Sequence, residues 1–352
     1  MPVTSKSTSL SCKSSDETVS GTDMNNELQC PILLKPSGKD YLWGGQRLNT
    51  EFEKNIDMMP LAETWECSTH PDGLSFAVGG EFDGKPLSEI IRMHPEFLGE
   101  RHKGESELPI LIKFIDAKND LSVQVHPDDD YAYAYENGQS GKTEMWYILD
   151  ATAGASLVYG LRFDCDERSV RDAISSGALD RLLQTVPVKR DDVFFIESGT
   201  IHAIGAGCLI AEIQENSNLT YRLYDYDRVD KYGHKRELHV DKAMRVANLK
   251  SSAEPRQPLR VLKYEPGVAR ELLSRCKYFE VYRMLVNTER RQKVIYRSGT
   301  LSFQVLLCVN GCGTLHFGKD TMPFYKGDCI FVPADSEEIR IHGQAQFLDV
   351  RG

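Results

Sequence analysis

Three short runs carry side chains that could bind a metal or move a proton. In Leu121-Ser-Val-Gln-Val-His126 the period of two along an extended chain sends Leu121, Val123 and Val125 to one face and Ser122, Gln124 and His126 to the other. One face is core, the other polar and chemically armed. In Lys142-Thr-Glu-Met-Trp146 the same alternation sets Lys142, Glu144 and Trp146 against Thr143 and Met145, and the smaller face is the more apolar. That arrangement turns Lys142 and Glu144 inward; the plain alternative is a solvated ion pair. The third run, Ser198-Gly-Thr-Ile-His-Ala203, delivers a lone histidine where an apolar strand turns, a place that a structural hydrogen-bonder also fills. Together Gln124, His126, Glu144 and His202 make a nitrogen and oxygen ligand set projected from neighbouring strands. Two imidazoles and a carboxylate suit a catalytic zinc with a position left for water or substrate, although glutamine is an unusual ligand.

A fourth run joins Glu212-Ile-Gln214 to Tyr221-Arg-Leu-Tyr-Asp-Tyr-Asp-Arg228. Alternation places Glu212 and Gln214 on one face, and Arg222 with Tyr224 on a common face of another strand. The planar fork of Arg222 suits a phosphate or an enediolate oxygen; the plain alternative is a surface arginine in a hairpin.

The elements that must position these groups are mostly strands. Short β-rich runs (PILIKFIDA, LSVQVH, MWYIL, ASLVYGL, DVFFI, CLIAEIQ) follow one another from Ile32 onward, separated by Gly, Asp and Asn. That rhythm belongs to a sandwich or barrel. Helical spacing is confined to Leu87, Ile90 and Ile91 after Pro86, to Val170, Ala173 and Ile174 running towards Leu182, and to a short stretch over Val240–Leu249. Pro127 and three aspartates end the strand that carries His126. Residues 1–30 are polar and are expected to form a disordered extension. A catalytic domain is expected over 31–250, a linker over 251–258, and a second domain over 259–352.

One segment repeats. Arg190-Asp-Asp-Val-Phe-Phe-Ile-Glu-Ser-Gly199 runs parallel to Lys326-Gly-Asp-Cys-Ile-Phe-Val-Pro-Ala-Asp335, which suggests two related β-barrels. In that alignment His202 falls opposite Glu338, so the second barrel is expected to hold no metal.

Composition bounds the function. A chain of 352 residues with 41% hydrophobic and 27% charged residues is a folded globular protein, and no run approaches a membrane span. Nine cysteines without a CxxC pair suit a reducing compartment, so the cytoplasm is the expected location. A net charge of -10 argues against a nucleic-acid partner but leaves room for a basic pocket and a small anion.

The runs Gln124-Val-His-Pro-Asp-Asp129, Gly141-Lys-Thr-Glu-Met-Trp-Tyr-Ile-Leu149, Gly199-Thr-Ile-His-Ala-Ile-Gly205 and Thr220-Tyr-Arg-Leu-Tyr-Asp225 resemble type I mannose-6-phosphate isomerases, in their shorter, bacterial-style form. Tyr41-Leu-Trp-Gly-Gly45, Ala62-Glu-Thr-Trp-Glu66 and Thr69-His-Pro71 add to the likeness, which is strong over about 31–250 and weaker beyond. The resemblance implies a mainly β fold of two cupin-like jelly-roll barrels with a few appended helices. It implies one zinc on Gln124, His126, Glu144 and His202, and interconversion of mannose 6-phosphate with fructose 6-phosphate. Family pocket positions map onto Trp43, Lys113, Ser122, Lys142, Glu212, Arg222 and Arg228.

Such an isomerisation passes a proton between C1 and C2 through an enediol(ate), so it needs a base and a group to hold the developing oxyanion. Glu212 is the first choice for base and Lys142 the second. Arg222 would stabilise the enediolate or bind phosphate, with Ser122, Lys113 and Arg228 completing the anion site. One position departs from the family: an aspartate common there is Asn218 here, and an amide cannot act as a carboxylate base. Two other classes stay open, a non-catalytic sugar-phosphate-binding cupin and a cupin oxygenase; the Gln and Glu fit the second less well.

Overall fold

All eight residues of the strand Ile110–Ala117 are buried, and that determines how the layers stack. A strand covered on both faces reads as a continuous apolar run, whereas one with a wet face alternates. Ile110, Ile112 and Phe114 join one hydrophobic cluster, while Ile115 and Ala117, on the same face as Lys113, join another. The computed structural model describes residues 29–230, 232–253, 255, 261–290 and 292–352. Apart from residues 29 and 30, the expected N-terminal extension lies outside the described residues, as do 254 and 256–258 of the expected linker.

Ile110–Ala117 sits in a six-stranded middle sheet, ordered Val193–Ile196, Glu144–Ala151, Cys208–Glu215, Ile110–Ala117, Glu63–Cys67 and Ser37–Lys39. A five-stranded sheet lies over one face, ordered Tyr221–Tyr224, Val123–Val125, His202–Ile204, Ser156–Leu161 and Leu183–Pro187. Ile115, Trp146, Ile148, Leu157 and Ile204 form the core between these two. Over the other face lies a ten-stranded sheet, mostly from the C-terminal third, which contributes Val305, Leu307, Phe331 and Leu348 to a core shared with Ile112, Phe114, Tyr147 and Ile213. The strand neighbours in all three sheets are antiparallel.

The ten-stranded sheet also curls over a core of its own, where Leu306, Cys308, Ile330, Val332 and Phe347 meet Leu315, Phe324 and Ile341. Its long strands Gln304–Phe317 and Ile339–Arg351 make this possible by pairing with different neighbours along their length, with a register shift between Cys308 and Asn310. The chain thus adopts the mainly β, jelly-roll architecture expected from its sequence. The strand Ile32–Lys35 pairs with Cys329–Val332 and Phe76–Val78, so hydrogen bonds tie the first strand to the C-terminal sheet.

The sequence repeat marks the same local structure twice. Asp192 Oδ2 accepts the Lys189 amide at 2.9 Å, and Asp328 Oδ2 accepts the Tyr325 amide at 2.7 Å. The residue before each aspartate has positive φ, +71° at Asp191 and +102° at Gly327, and so does the residue closing each copy, +85° at Gly199 and +54° at Asp335. The shared aspartate therefore closes the turn that launches each strand. Glu338, opposite His202 in the alignment, pairs with Arg297 and, at 3.1 Å, with Arg340.

Helices are short and lie outside the sheets. Leu87–Met93 begins at Pro86 and buries Leu87, Ile90 and Ile91. Glu167–Ser175 is capped by Asp166, which accepts the Ser169 amide at 2.7 Å, and Val240–Val246 follows the expected third pattern. Val170, Ala243 and Met244 from the last two pack on Val123, Val125, Ala203 and Leu223, the outer face of the five-stranded sheet. A helix the sequence reading missed, Asp129–Tyr135, starts where the aspartates were expected only to end a strand; Asp128 accepts the Tyr131 amide at 2.9 Å. Among the described residues no helix is long and apolar enough to cross a membrane.

Candidate active site

Because Val123 and Val125 face the outer helices, Gln124 faces the space between the two sheets of the first sandwich. The same parity argument turns His202 and Arg222 inward, since Ala203, Tyr221 and Leu223 belong to the outer cluster. From the middle sheet Lys113, Glu144, Trp146 and Glu212 point back at them, on the face shared by Ile115, Ile148 and Ile210. Register fixes the neighbours: Gln124 lies opposite both His202 and Arg222, and Glu212 lies opposite both Lys113 and Trp146. Leu121 departs from the expected alternation. The strand begins only at Val123, and Leu121 lines the cavity with Ser122 instead of joining the outer face.

Among the described residues, His126, Glu144 and His202 form the one cluster able to hold a metal, each with a donor atom within 4.8 Å of the others. His126 Nδ1 lies 2.7 Å from the Leu219 carbonyl and His202 Nδ1 lies 2.8 Å from the Thr200 carbonyl. A carbonyl only accepts, so both imidazoles carry hydrogen on Nδ1 and present the Nε2 lone pair to the cluster. His202 Nε2 is 3.2 Å from Glu144 Oε1, and the Gln124 amide is 3.4 Å from the same nitrogen. Glu144 is fully buried and its Oε1 has no hydrogen-bond partner, an orphaned acceptor of the kind a cation satisfies. Burial pushes both imidazoles down, His202 to about 4, so they stay neutral as ligands must. The donor set fits a divalent metal.

Lys142 stands beside this cluster, its Nζ 3.2 Å from His126 Nε2, 2.5 Å from Glu144 Oε2 and 3.7 Å from Glu212 Oε1. Glu212 in turn takes the Trp146 indole N–H at 3.1 Å and lies 3.3 Å from Lys113. Burial pushes both carboxyls up and the two lysines oppose it. At Glu144 burial prevails and the carboxyl rises, while at Glu212 Lys142 and Lys113 together outweigh burial and hold the carboxyl down. A second tryptophan plays a similar part: Trp65 donates its indole N–H to Glu63 at 2.9 Å, and Lys113 lies 4.8 Å over its ring.

These groups open into a cavity of about 240 Å³ that Trp43, Lys113, Ser122, Gln124, Lys142, Glu212 and Arg222 all line. Arg222 donates to the Glu237 carbonyl at 2.8 Å, and its Nε is buried without a partner. Arg228 is not among the lining residues; Asp225 and the Asp120 carbonyl hold it, and it lies over the Tyr226 ring. Arg236 lines the cavity instead, fixed by Asp225 with Nε–Oδ2 at 2.8 Å. The lining holds four cationic residues, Lys113, Lys142, Arg222 and Arg236, against the carboxylates of Glu63 and Glu212. A pocket charged this way, in a chain of net charge -10, suits an anion.

Comparison with known proteins agrees with that chemistry. Residues 32–149 match the family model "Phosphomannose isomerase type I, catalytic domain", and residues 269–351 match "Mannose-6-phosphate isomerase, cupin domain". The mannose-6-phosphate isomerase ManA of Bacillus subtilis is 37% identical over 90% of this chain and 98% of its own. The chain belongs to the type I phosphomannose isomerase family. The Streptococcus mutans mannose-6-phosphate isomerase is 34% identical over 90% of this chain and 97% of its own. A crystal structure of the Bacillus subtilis mannose 6-phosphate isomerase superposes with a TM-score of 0.84 at 34% identity, covering 92% of this chain and 99% of that one.

Within this family frame, Asn218 lines the cavity and donates to Asp72 Oδ2 at 2.8 Å. Its amide thus joins the rim to the His70-Pro-Asp72 loop. Sequence reading missed Arg236. The one signal for it was the cluster of basic residues in Lys235-Arg236 after the arginine strand, a signal that surface loops share.

Proposed function

We propose that this protein is a zinc-dependent aldose–ketose isomerase of the cytoplasm, interconverting D-mannose 6-phosphate and D-fructose 6-phosphate through an enediol(ate). The reading divides the chain into a catalytic unit over 31–250 and a second unit without metal over 259–352, joined at 251–258. The observation that carries it is the meeting of His126, Glu144 and His202 with Lys142, which with Glu212, Arg222 and Arg236 lines the cavity beside them. Metal donors, proton-transfer groups and anion-binding guanidiniums share one small space. This conjunction favours catalysis over simple binding of a sugar phosphate.

In this reading Gln124, His126, Glu144 and His202 hold the zinc, which when bound supplies Lewis-acid stabilisation of substrate oxygen. Glu212 takes the proton from C2 of the aldose and returns it to C1, while O2 loses a proton and O1 gains one. Its place between Lys113 and Lys142 keeps it ionised, ready to accept. Lys142 balances that charge and is the alternative base, because it reaches both Glu212 and the metal donors. Arg222 meets the developing enediolate, and Arg236 with Ser122 receives the phosphate. Trp43 closes the apolar side of the cavity and excludes water.

Metal analysis combined with a coupled isomerase assay on mannose 6-phosphate tests this directly. One zinc per chain and turnover that follows zinc content are expected. Sugar-phosphate binding without turnover in zinc-loaded protein would overturn it in favour of a non-catalytic binder.

A further inference from the structure

The backbone around Lys142 is held at several consecutive positions. Asp129 Oδ1 accepts the Gly141 amide at 3.1 Å, the Pro127 carbonyl accepts the Lys142 amide at 3.0 Å, and Glu215 Oε1 accepts the Thr143 amide at 2.7 Å. Ser217 Oγ donates to the Ser140 carbonyl at 3.0 Å. Gly141 cannot be replaced cheaply, since a Cβ there would stand 2.5 Å from the Asp128 backbone. The clamp therefore depends on where two carboxyl groups, Asp129 and Glu215, are placed.

Those two carboxyls act on each other's ionisation, and their burdens are opposite. Burial drives Glu215 up to about 8, which makes it the proton donor of the pair. Asp129 is held down at about 2 against burial, by hydrogen bonds from Lys277, Tyr278 and Glu215. Two of these donors come from far along the chain. Tyr278 donates its hydroxyl to Asp129 Oδ2 at 2.8 Å, and Lys277 Nζ approaches the same oxygen at 2.9 Å. Both lie in the turn between Val268–Arg275 and Glu280–Asn287 of the ten-stranded sheet, where the Cys276 amide bonds to the Phe279 carbonyl at 3.0 Å. The Tyr278 ring is packed against the core shared by the middle and ten-stranded sheets.

We propose that the 276–279 turn is a positioning element for the active site: Tyr278 fixes Asp129, and Asp129 with Glu215 fixes the backbone on both sides of Lys142. This gives the C-terminal sheet a share in catalysis without touching substrate. It rests on the role for Lys142 proposed above. Lys277 is three-quarters exposed, so its ion pair contributes little and Tyr278 is the residue that matters.

The test uses zinc-loaded full-length protein and Tyr278→Phe, which removes one hydroxyl and keeps the packed ring. Amide hydrogen exchange of a peptide covering 140–143 reads the clamp without reference to activity, and about tenfold faster exchange there is expected, with the strands of the middle sheet unchanged. In the isomerase assay kcat should fall about tenfold with KM nearly constant. Adding the same change to Lys142→Arg should then lower kcat by much less, because the two act through one group. Unchanged exchange at 140–143 overturns the clamp. Equal fold-losses on wild-type and Lys142→Arg backgrounds overturn its action through Lys142. Faster exchange in a protein whose wild type has no isomerase activity refutes the proposed function and leaves the clamp standing.

Discussion

Lys113 and Glu212 face each other across adjacent antiparallel strands, both buried, with Nζ and Oε2 3.3 Å apart. Breaking a buried pair by removing one partner costs about 3–5 kcal/mol, since the remaining charge is left in a poor solvent. Lys113→Met should therefore destabilise the protein by about 3 kcal/mol, the lower end, because Lys142 and the Trp146 indole still serve Glu212. Urea denaturation with an unchanged slope reads it. A loss under about 0.5 kcal/mol would show that water reaches the pair, as at an exposed one.

Metal removal should abolish turnover. Chelator-treated protein is expected to regain activity with zinc, and His126→Ala or His202→Ala to lose the bound equivalent, because the remaining donors no longer complete a site. Anomalous scattering at the zinc edge should give one peak beside His202 and none beside Glu338, which is already paired with two arginines. Full activity in rigorously metal-free protein would sink the assignment.

Strand parity made the inward set legible: Gln124 and His126 apart from Val123 and Val125, and Lys142, Glu144 and Trp146 apart from Met145. Period two says which residues share a face but not which of two cores that face meets. Val123 and Val125 thus read as core while packing on the outer helices. The repeat was legible too, because its aspartate does a job that local sequence specifies. Arg236 and Tyr278 were not. Arg236 reaches the cavity from a charged loop and is aimed by Asp225, and Tyr278 meets Asp129 across 149 residues of chain. Contacts of that kind follow from how sheets stack, which no local pattern encodes.

Glu215 should make stability fall with rising pH. Its carboxyl is raised from 4.5 to about 8 by burial first and by Asp129 beside it. A raised carboxyl contributes stability that is fully present below about 4.5 and is lost as pH rises through about 8, since the unfolded chain releases that proton first. The change corresponds to roughly 5 kcal/mol at most. Glu215→Gln keeps an acceptor for the Thr143 amide and cannot ionise, so it should gain on the wild type between pH 5 and about 8.5 in paired denaturation curves. A constant difference between the two proteins over that range would show that Glu215 titrates normally.

The two cavity arginines should separate kinetically. Arg236→Ala is expected to raise KM about tenfold with kcat nearly unchanged, as for a group that binds phosphate equally in ground and transition states. Arg222→Lys keeps the charge and gives up the planar fork, so its loss should fall mainly in kcat. The reverse pattern would exchange their roles.

The base is decided by proton exchange. Glu212→Gln removes a proton acceptor at constant shape, so exchange of the C2 proton of mannose 6-phosphate with solvent should slow by about a hundredfold or more while zinc and substrate still bind. Lys142→Met removes the neighbouring ammonium, 3.7 Å from Glu212 Oε1, and should also slow turnover, but by releasing Glu212 from a charge partner that holds its carboxyl down. That carboxyl would then rise and be ionised less of the time, but the base itself is still present, so exchange in Lys142→Met should fall less than in Glu212→Gln. Wild-type exchange in Glu212→Gln, with severe loss in Lys142→Met and zinc retained, would transfer the base to Lys142.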